Sequence, residues 1–179
     1  MPRIAPVDPA AGTPEQRALH DSGVERYGRM TNMKRTLLHS PPAYHALMEW
    51  YPLRDTVEPF LGGRLTTIFA HAISADTDCL ICSTFFRRLL IDDGENPDAL
   101  ELDDNERLVV DFGRALAAPG SRVSDEMYSS LANLYTDEQI VALTAFGAMM
   151  LATNVVNNAL EIDLDGYLEP YARNTAGNA

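Results

Sequence analysis

Cationic side chains are scarce in this chain. Fourteen Lys and Arg stand against 26 Asp and Glu, a formal net charge of −12 at pH 7. A surface that acidic repels phosphate backbones and anionic lipid, so neither nucleic acid nor a membrane surface is expected as a partner. Long apolar runs are missing as well. The opening "MPRIAPVDPAAGTPEQ" has no apolar stretch behind its arginine, and no later stretch reads as a membrane span, so the expected location is cytoplasmic. The chain also lacks a Gly-rich phosphate loop, a G-x-S-x-G nucleophile elbow and a His-rich metal motif, and no cofactor is expected. Cysteine is scarce too: Cys79 and Cys82 are the only two.

What is present is a series of helix signals. Residues 1–12, rich in Pro and Ala, read as a tail or arm, and residues 13–179 as a single helical domain. Thr13-Pro14-Glu15-Gln16 combines an N-cap, a Pro at the first helical position and a Gln three residues after the cap. Ser40-Pro41 repeats the cap-then-Pro signature. Asp103 or Asp104 can cap "NERLVVDFGRALAA", in which Leu108, Val109, Phe112 and Leu116 recur at helical spacing, and Pro119-Gly120 stops it. Ser124 opens another segment. Thr136 with Gln139 forms a capping box ahead of the longest candidate, "DEQIVALTAFGAMMLATNVVNNAL". That helix is apolar over much of its circumference, which predicts burial on several sides, within the domain or at a subunit interface. Alternating strand patterns are hard to find. The reading is all-α.

The two cysteines lie in "HAISADTDCLICSTFFRRLL". "RLTTIFAHAIS" reads as one helix, and "ADTD" offers caps for a second that starts at or near Cys79. Residues three apart share a helix face, so both sulfurs can point at one spot. A helix N-terminus favours the thiolate, whereas Asp76 and Asp78 oppose a further negative charge. Three readings stay open at this point. The pair can be a redox-active dithiol, as its spacing in a reducing compartment suggests. It can be two buried thiols in a core, since free Cys is among the most buried residue types. Or it can bind zinc with His71 as a third ligand, although no second CxxC or close His pair completes the set.

The surroundings add a resemblance. "NMKRTLLHSP", "TDCLICSTFFRRLL" and "YTDEQIVALTAFGAMMLATNVVNNALEI" resemble, in order and spacing, segments of the carboxymuconolactone decarboxylase and alkylhydroperoxidase D superfamily, over most of the chain from Tyr27 to Ile162. The resemblance implies the all-α, alkylhydroperoxidase D-like fold and a trimeric or hexameric assembly. It implies a peroxidase-like dithiol that reduces an organic hydroperoxide or exchanges disulfides, reset by an external thiol reductant. By the same resemblance Cys82 attacks and Cys79 resolves; the decarboxylase branch generally lacks the pair. Two positions depart from the pattern. Thr67 stands where the peroxidase branch carries a glutamate twelve residues before the first cysteine, and Phe86 where it carries a histidine four residues after the second. Neither can serve as a carboxylate or imidazole proton relay. His71, four residues after Thr67 and so on the same helical face, is the candidate substitute, as base for the thiol proton. The alternative is a non-redox, metabolite-binding or decarboxylase-like protein with structural cysteines, in which Phe86 leaves an apolar cavity beside the sulfurs. Asn154, Asn157 and Asn158 form a cluster read as either mutually bonded, as across a subunit interface, or a solvated helix end.

Overall fold

A computed structural model describes residues 1–173. They contain nine α-helices and a short 3-10 helix, with no strand among the described residues. The expected all-α class is therefore observed. Residues 174–179, the end of the expected helical domain, lie outside the described residues.

Most helix starts fall where side-chain chemistry places them. Capping boxes open α1 (Pro14–Tyr27) at Thr13, α7 (Asp104–Ala117) at Asp103 and α9 (Asp137–Ala159) at Thr136, in each case with both reciprocal hydrogen bonds made. Thr31 caps α2 (Asn32–Leu37), and Ser124 caps α8 (Asp125–Ala132). At α3 (Pro41–Met48) Ser40 makes no side-chain cap bond, and the proline alone marks the start.

The centre of the molecule is α5 (Gly63–Asp76), buried at every position from Leu65 to Ser74. It packs against α4 (Trp50–Leu61), α6 (Leu80–Asp92), α7 and α9. Two glycines let the neighbours close in on it. A Cβ on Gly113 of α7 would lie 2.9 Å from the Phe69 ring, and one on Gly147 of α9 would lie 3.2 Å from it. Phe69, fully buried, fills the space between two helices whose backbones approach it without side chains.

The long helix α9 is buried along one side, with Leu143, Phe146 and Met150 at most 1% exposed. By length and composition alone it could cross a membrane, which the sequence reading did not anticipate. Its opposite side is uncharged and outward: Val141 and Val155 are 68% and 64% exposed, with Ala148 and Ala152 between them.

The N-terminal arm lies on the body rather than away from it. Val7 is buried and its N–H bonds to the Arg35 carbonyl, while Arg3 bonds to the carbonyls of Ala159 and Leu160 at the end of α9. Those are carbonyls that the helix itself leaves unpaired.

Candidate functional site

The turn between α5 and α6 determines where the cysteines sit. Asp78 takes a left-handed conformation (φ 51°), its N–H bonding to the Ala75 carbonyl, and the Cys79 N–H reaches the Ser74 carbonyl at 3.0 Å. That pair of bonds is a Schellman motif closing α5. The residue that ends the motif, Cys79, is also the N-cap of α6. Both sulfurs therefore sit at the first turn of a helix, close together, as the spacing suggested.

Helix α9 fixes this turn from the other side. Asn154 Nδ2 donates to Thr77 Oγ1 at 2.8 Å, and Asn158 Nδ2 to the Thr77 carbonyl at 2.9 Å. Between them, Asn157 Nδ2 lies 3.2 Å from Cys82 Sγ and 3.7 Å from Cys79 Sγ. Within the chain the asparagines bond to the cysteine turn rather than to one another, Asn154 and Asn157 buried and Asn158 exposed. The cluster holds the cysteine turn.

The two thiols are electrostatically unequal. Cys79 is held down to about 7, first by a hydrogen bond from the Cys82 thiol, with help from the backbone N–H groups of Cys82 and Ile81 and from Asn157, against burial. Cys82 is pushed well up by that same bond, because giving up its proton would put two charges side by side, and by burial. The pair thus releases one proton near neutral pH and holds the other. Exposure divides them the other way: Cys79 is completely enclosed, whereas Cys82 lines a cavity of about 430 Å³.

Aromatic and apolar side chains wall the Cys82 end of that cavity. Trp50 is central, with ring centroids 6.2 Å from Phe86 and 5.7 Å from Phe146, and its indole N–H points at Met150 Sδ at 2.7 Å. Thr67 and Phe86 both line it, so the two positions singled out in the sequence share the cavity that Cys82 opens into. Thr67 Oγ1 donates to the Gly63 carbonyl at 2.9 Å and is committed to its own helix.

His71 is not brought to this cavity. It lines a second, more polar hollow with Asp98 and Arg173, and among the described residues no third ligand-type side chain gathers with the two thiols. Burial, then the positive charges of Arg173 and Arg87, bring His71 down to about 4, with Asp98 opposing. Its ring is neutral at physiological pH. The shared face with Thr67 does not carry over because α5 is buried all round, so its successive turns meet different neighbours. Acidic side chains nearby pair with cations: Glu95 and Glu106 bind Arg64, and Asp98 bridges Arg87 and Arg173.

No protein-family model and no curated protein matches this chain. Solved structures do. A peroxidase-related protein from Ralstonia eutropha JMP134, described as an alkylhydroperoxidase AhpD core, is 19% identical over 93% of this chain and 94% of its own, with a TM-score of 0.73. The debrominase Bmp8 is 16% identical over 94% of this chain and 95% of its own, with a TM-score of 0.76, and has also been solved as a cysteine-to-alanine variant in complex with 2,3,4-tribromopyrrole. A peroxidase-related protein from Silicibacter sp. TM1040 is 15% identical over 92% of this chain and 93% of its own, with a TM-score of 0.67. At these identities the likeness is one of fold.

Proposed function

With the alkylhydroperoxidase D-like fold as premise, we propose that this chain is a dithiol oxidoreductase that reduces an organic hydroperoxide through Cys82 and Cys79. The observation that carries the reading is the division of labour between the sulfurs: one opens on an apolar cavity, and the other, enclosed behind it, holds the thiolate. The Cys79 thiolate takes the proton of Cys82 along their hydrogen bond, and the Cys82 thiolate attacks the outer peroxide oxygen. The O–O bond breaks, the alkoxide takes up a proton, and Cys82 becomes a sulfenic acid. Cys79, a thiolate again, attacks Cys82 Sγ, forms the disulfide and expels hydroxide. Two electrons have left the dithiol and an alcohol has formed. An external thiol restores the pair by exchange. Cys79 thereby serves the proton-accepting role that Thr67 and Phe86 lack and that His71, facing another cavity, is not placed to serve.

The aromatic cavity wall and the likeness to a debrominase support a second use of the same dithiol: two thiols plus a carbon–halogen bond give a carbon–hydrogen bond, a halide ion, a proton and the disulfide. The outward apolar face of α9 supports assembly into a homo-oligomer, trimeric or hexameric. The sequence-based expectation of a cytoplasmic location accords with thiols that must start reduced.

The test is a free-thiol count and intact mass before and after one equivalent of cumene hydroperoxide. Loss of both thiols, with a mass decrease of about two hydrogens, supports the reading. If both thiols survive excess peroxide in the native protein, the redox reading fails and the cavity is a metabolite-binding site with structural cysteines.

A further inference from the structure

The cavity that Cys82 opens into has a second end of different chemistry. The chain has a single lysine, Lys34, and it is 5% exposed. Its Nζ bonds to the Arg29 carbonyl at 3.1 Å and lies 4.6 Å from the Tyr27 ring centroid and 5.1 Å from that of Tyr51, two rings stacked on each other. The Arg29 guanidinium covers Tyr167 at 4.1 Å, and Arg88 approaches the same ring at 5.7 Å. Lys34, Arg29, Arg88 and Arg54 all line this one cavity, against a single carboxylate, Asp165. Two of the four have local partners, Arg88 with Asp92 and Arg54 with Glu58. Lys34 and Arg29 have no carboxylate within ion-pair distance among the described residues.

In a protein with a formal charge of −12, four of the fourteen cationic side chains face one cavity. Burying an ammonium costs free energy, and burial outweighs the nearby Asp165 carboxylate in bringing Lys34 down to about 8. A structural role would be met better by an apolar side chain of the same length. An anion entering the cavity would recover that cost, because two of the ammonium's three hydrogens remain after the Arg29 carbonyl is served.

We infer that the cavity takes an amphipathic monoanion: an apolar or aromatic body lying along Trp50, Phe86 and Met150, and a carboxylate held between Lys34 and Arg29. This rests on the proposed function for the chemistry at Cys82, and adds the class of molecule delivered to it. Arg88, whose guanidinium meets the same Tyr167 ring as that of Arg29, follows Cys82 by six residues on α6, a rise of about 9 Å, so the cationic end of the cavity is offset from the sulfur by roughly that length. A para-substituted benzene ring spans a comparable distance.

The probes are 4-isopropylbenzoate and its carboxamide, which differ in charge and hardly in shape, titrated into the reduced full chain by calorimetry. The carboxylate is expected to bind about tenfold tighter or more. That preference should fall to within about twofold in Lys34→Met and to shrink in Arg29→Gln, whose exposed side chain can be changed without disturbing the core. Equal binding of acid and amide, no binding of either at millimolar concentration, or a preference that survives both substitutions would overturn the inference.

The matching hydroperoxides separate it from the reading it rests on. If 4-isopropylbenzoate binds selectively but its hydroperoxide leaves the thiols intact, the anion site stands and the peroxidase reading falls. If charged and neutral hydroperoxides oxidise the thiols at equal rates and binding ignores charge, the peroxidase reading stands and the anion site falls.

Discussion

Asn157→Leu is the substitution that tests the thiolate most directly. Leu nearly matches Asn in shape, so it removes the carboxamide and little else. Its Nδ2 is 3.2 Å from one sulfur and 3.7 Å from the other, and a hydrogen bond to a charged acceptor contributes about 1.5–3 kcal/mol. Sulfur is a soft, weak acceptor, so the lower end applies, equivalent to about one pKa unit. The native pair loses its first proton near 7. Moving that midpoint up by about one unit leaves roughly 10% thiolate at pH 7 in place of about half, a fivefold loss. The sign follows from which form is stabilised: the amide favours the charged sulfur, so removing it raises the midpoint, and the deficit vanishes once pH exceeds both values. Two measurements read it, the ultraviolet absorbance of the thiolate against pH and the iodoacetamide alkylation rate over the same range. Superimposable curves for native and Asn157→Leu protein, with melting temperatures alike, would refute the assignment of Asn157 as the positioning residue for the thiolate.

Four further outcomes are expected. On prolonged hydroperoxide treatment, Cys79→Ser should form a sulfenic acid trappable by dimedone, more slowly than the native pair reacts because the proton acceptor is gone, whereas Cys82→Ser should leave Cys79 unmodified because it is enclosed; the reverse pattern would exchange their roles. Because burial depresses His71 to about 4 in the folded state, the unfolded chain binds that proton first, and stability should fall as pH drops from about 6.5 to 4, by up to ~3 kcal/mol; His71→Phe should flatten that part of a denaturation-against-pH curve, and an unchanged slope would count against it. Gly147→Ala would bring a Cβ to 2.5 Å from Leu116 Cδ1 and 3.2 Å from Phe69 Cζ, a crowding cost of about 1–3 kcal/mol against about 1 kcal/mol of helix propensity gained, so Tm should fall by a few degrees; a raised Tm would refute tight packing there. Sedimentation should show an oligomer that Val141→Glu with Val155→Glu dissociates, and a native monomer would leave the outer face of α9 without a function.

The local layers of this fold are written in the sequence because their causes are local. Thr13, Asp103 and Thr136 cap helices through bonds spanning three residues. Cys79 starts α6 without a side-chain cap bond, because the turn that closes α5 ends on it. Phe86 falls at the sulfur cavity because its offset from Cys82 runs along one helix, and Thr67 reaches the same cavity from α5, across the turn that joins the two helices. Where the cause is tertiary, the sequence reading fails. Asn157 contacts a thiol 75 residues away, and nothing in its spacing to Asn154 and Asn158 shows what lies across from it. His71 sits on a helix with no solvent side, so periodicity gives no face from which to aim it. The buried Lys34 was one residue in a family-like segment until the fold brought Arg29, Tyr51 and Arg88 around the same cavity.

The carboxamide of Asn157 has one more consequence. Its Oδ1 is buried and finds no partner among the described residues, so the side chain is satisfied only through the sulfurs. In a Cys79–Cys82 disulfide those sulfurs would be neutral and poor acceptors, and the amide would be left in the interior with neither end well met. The surroundings thus stabilise the dithiol over the disulfide, which raises the reduction potential of the couple by about 30 mV for each 1.4 kcal/mol. A disulfide held there is a ready electron acceptor. Ordinary cellular thiols could reopen it without a dedicated partner, and the pair would rest reduced, waiting for its oxidant.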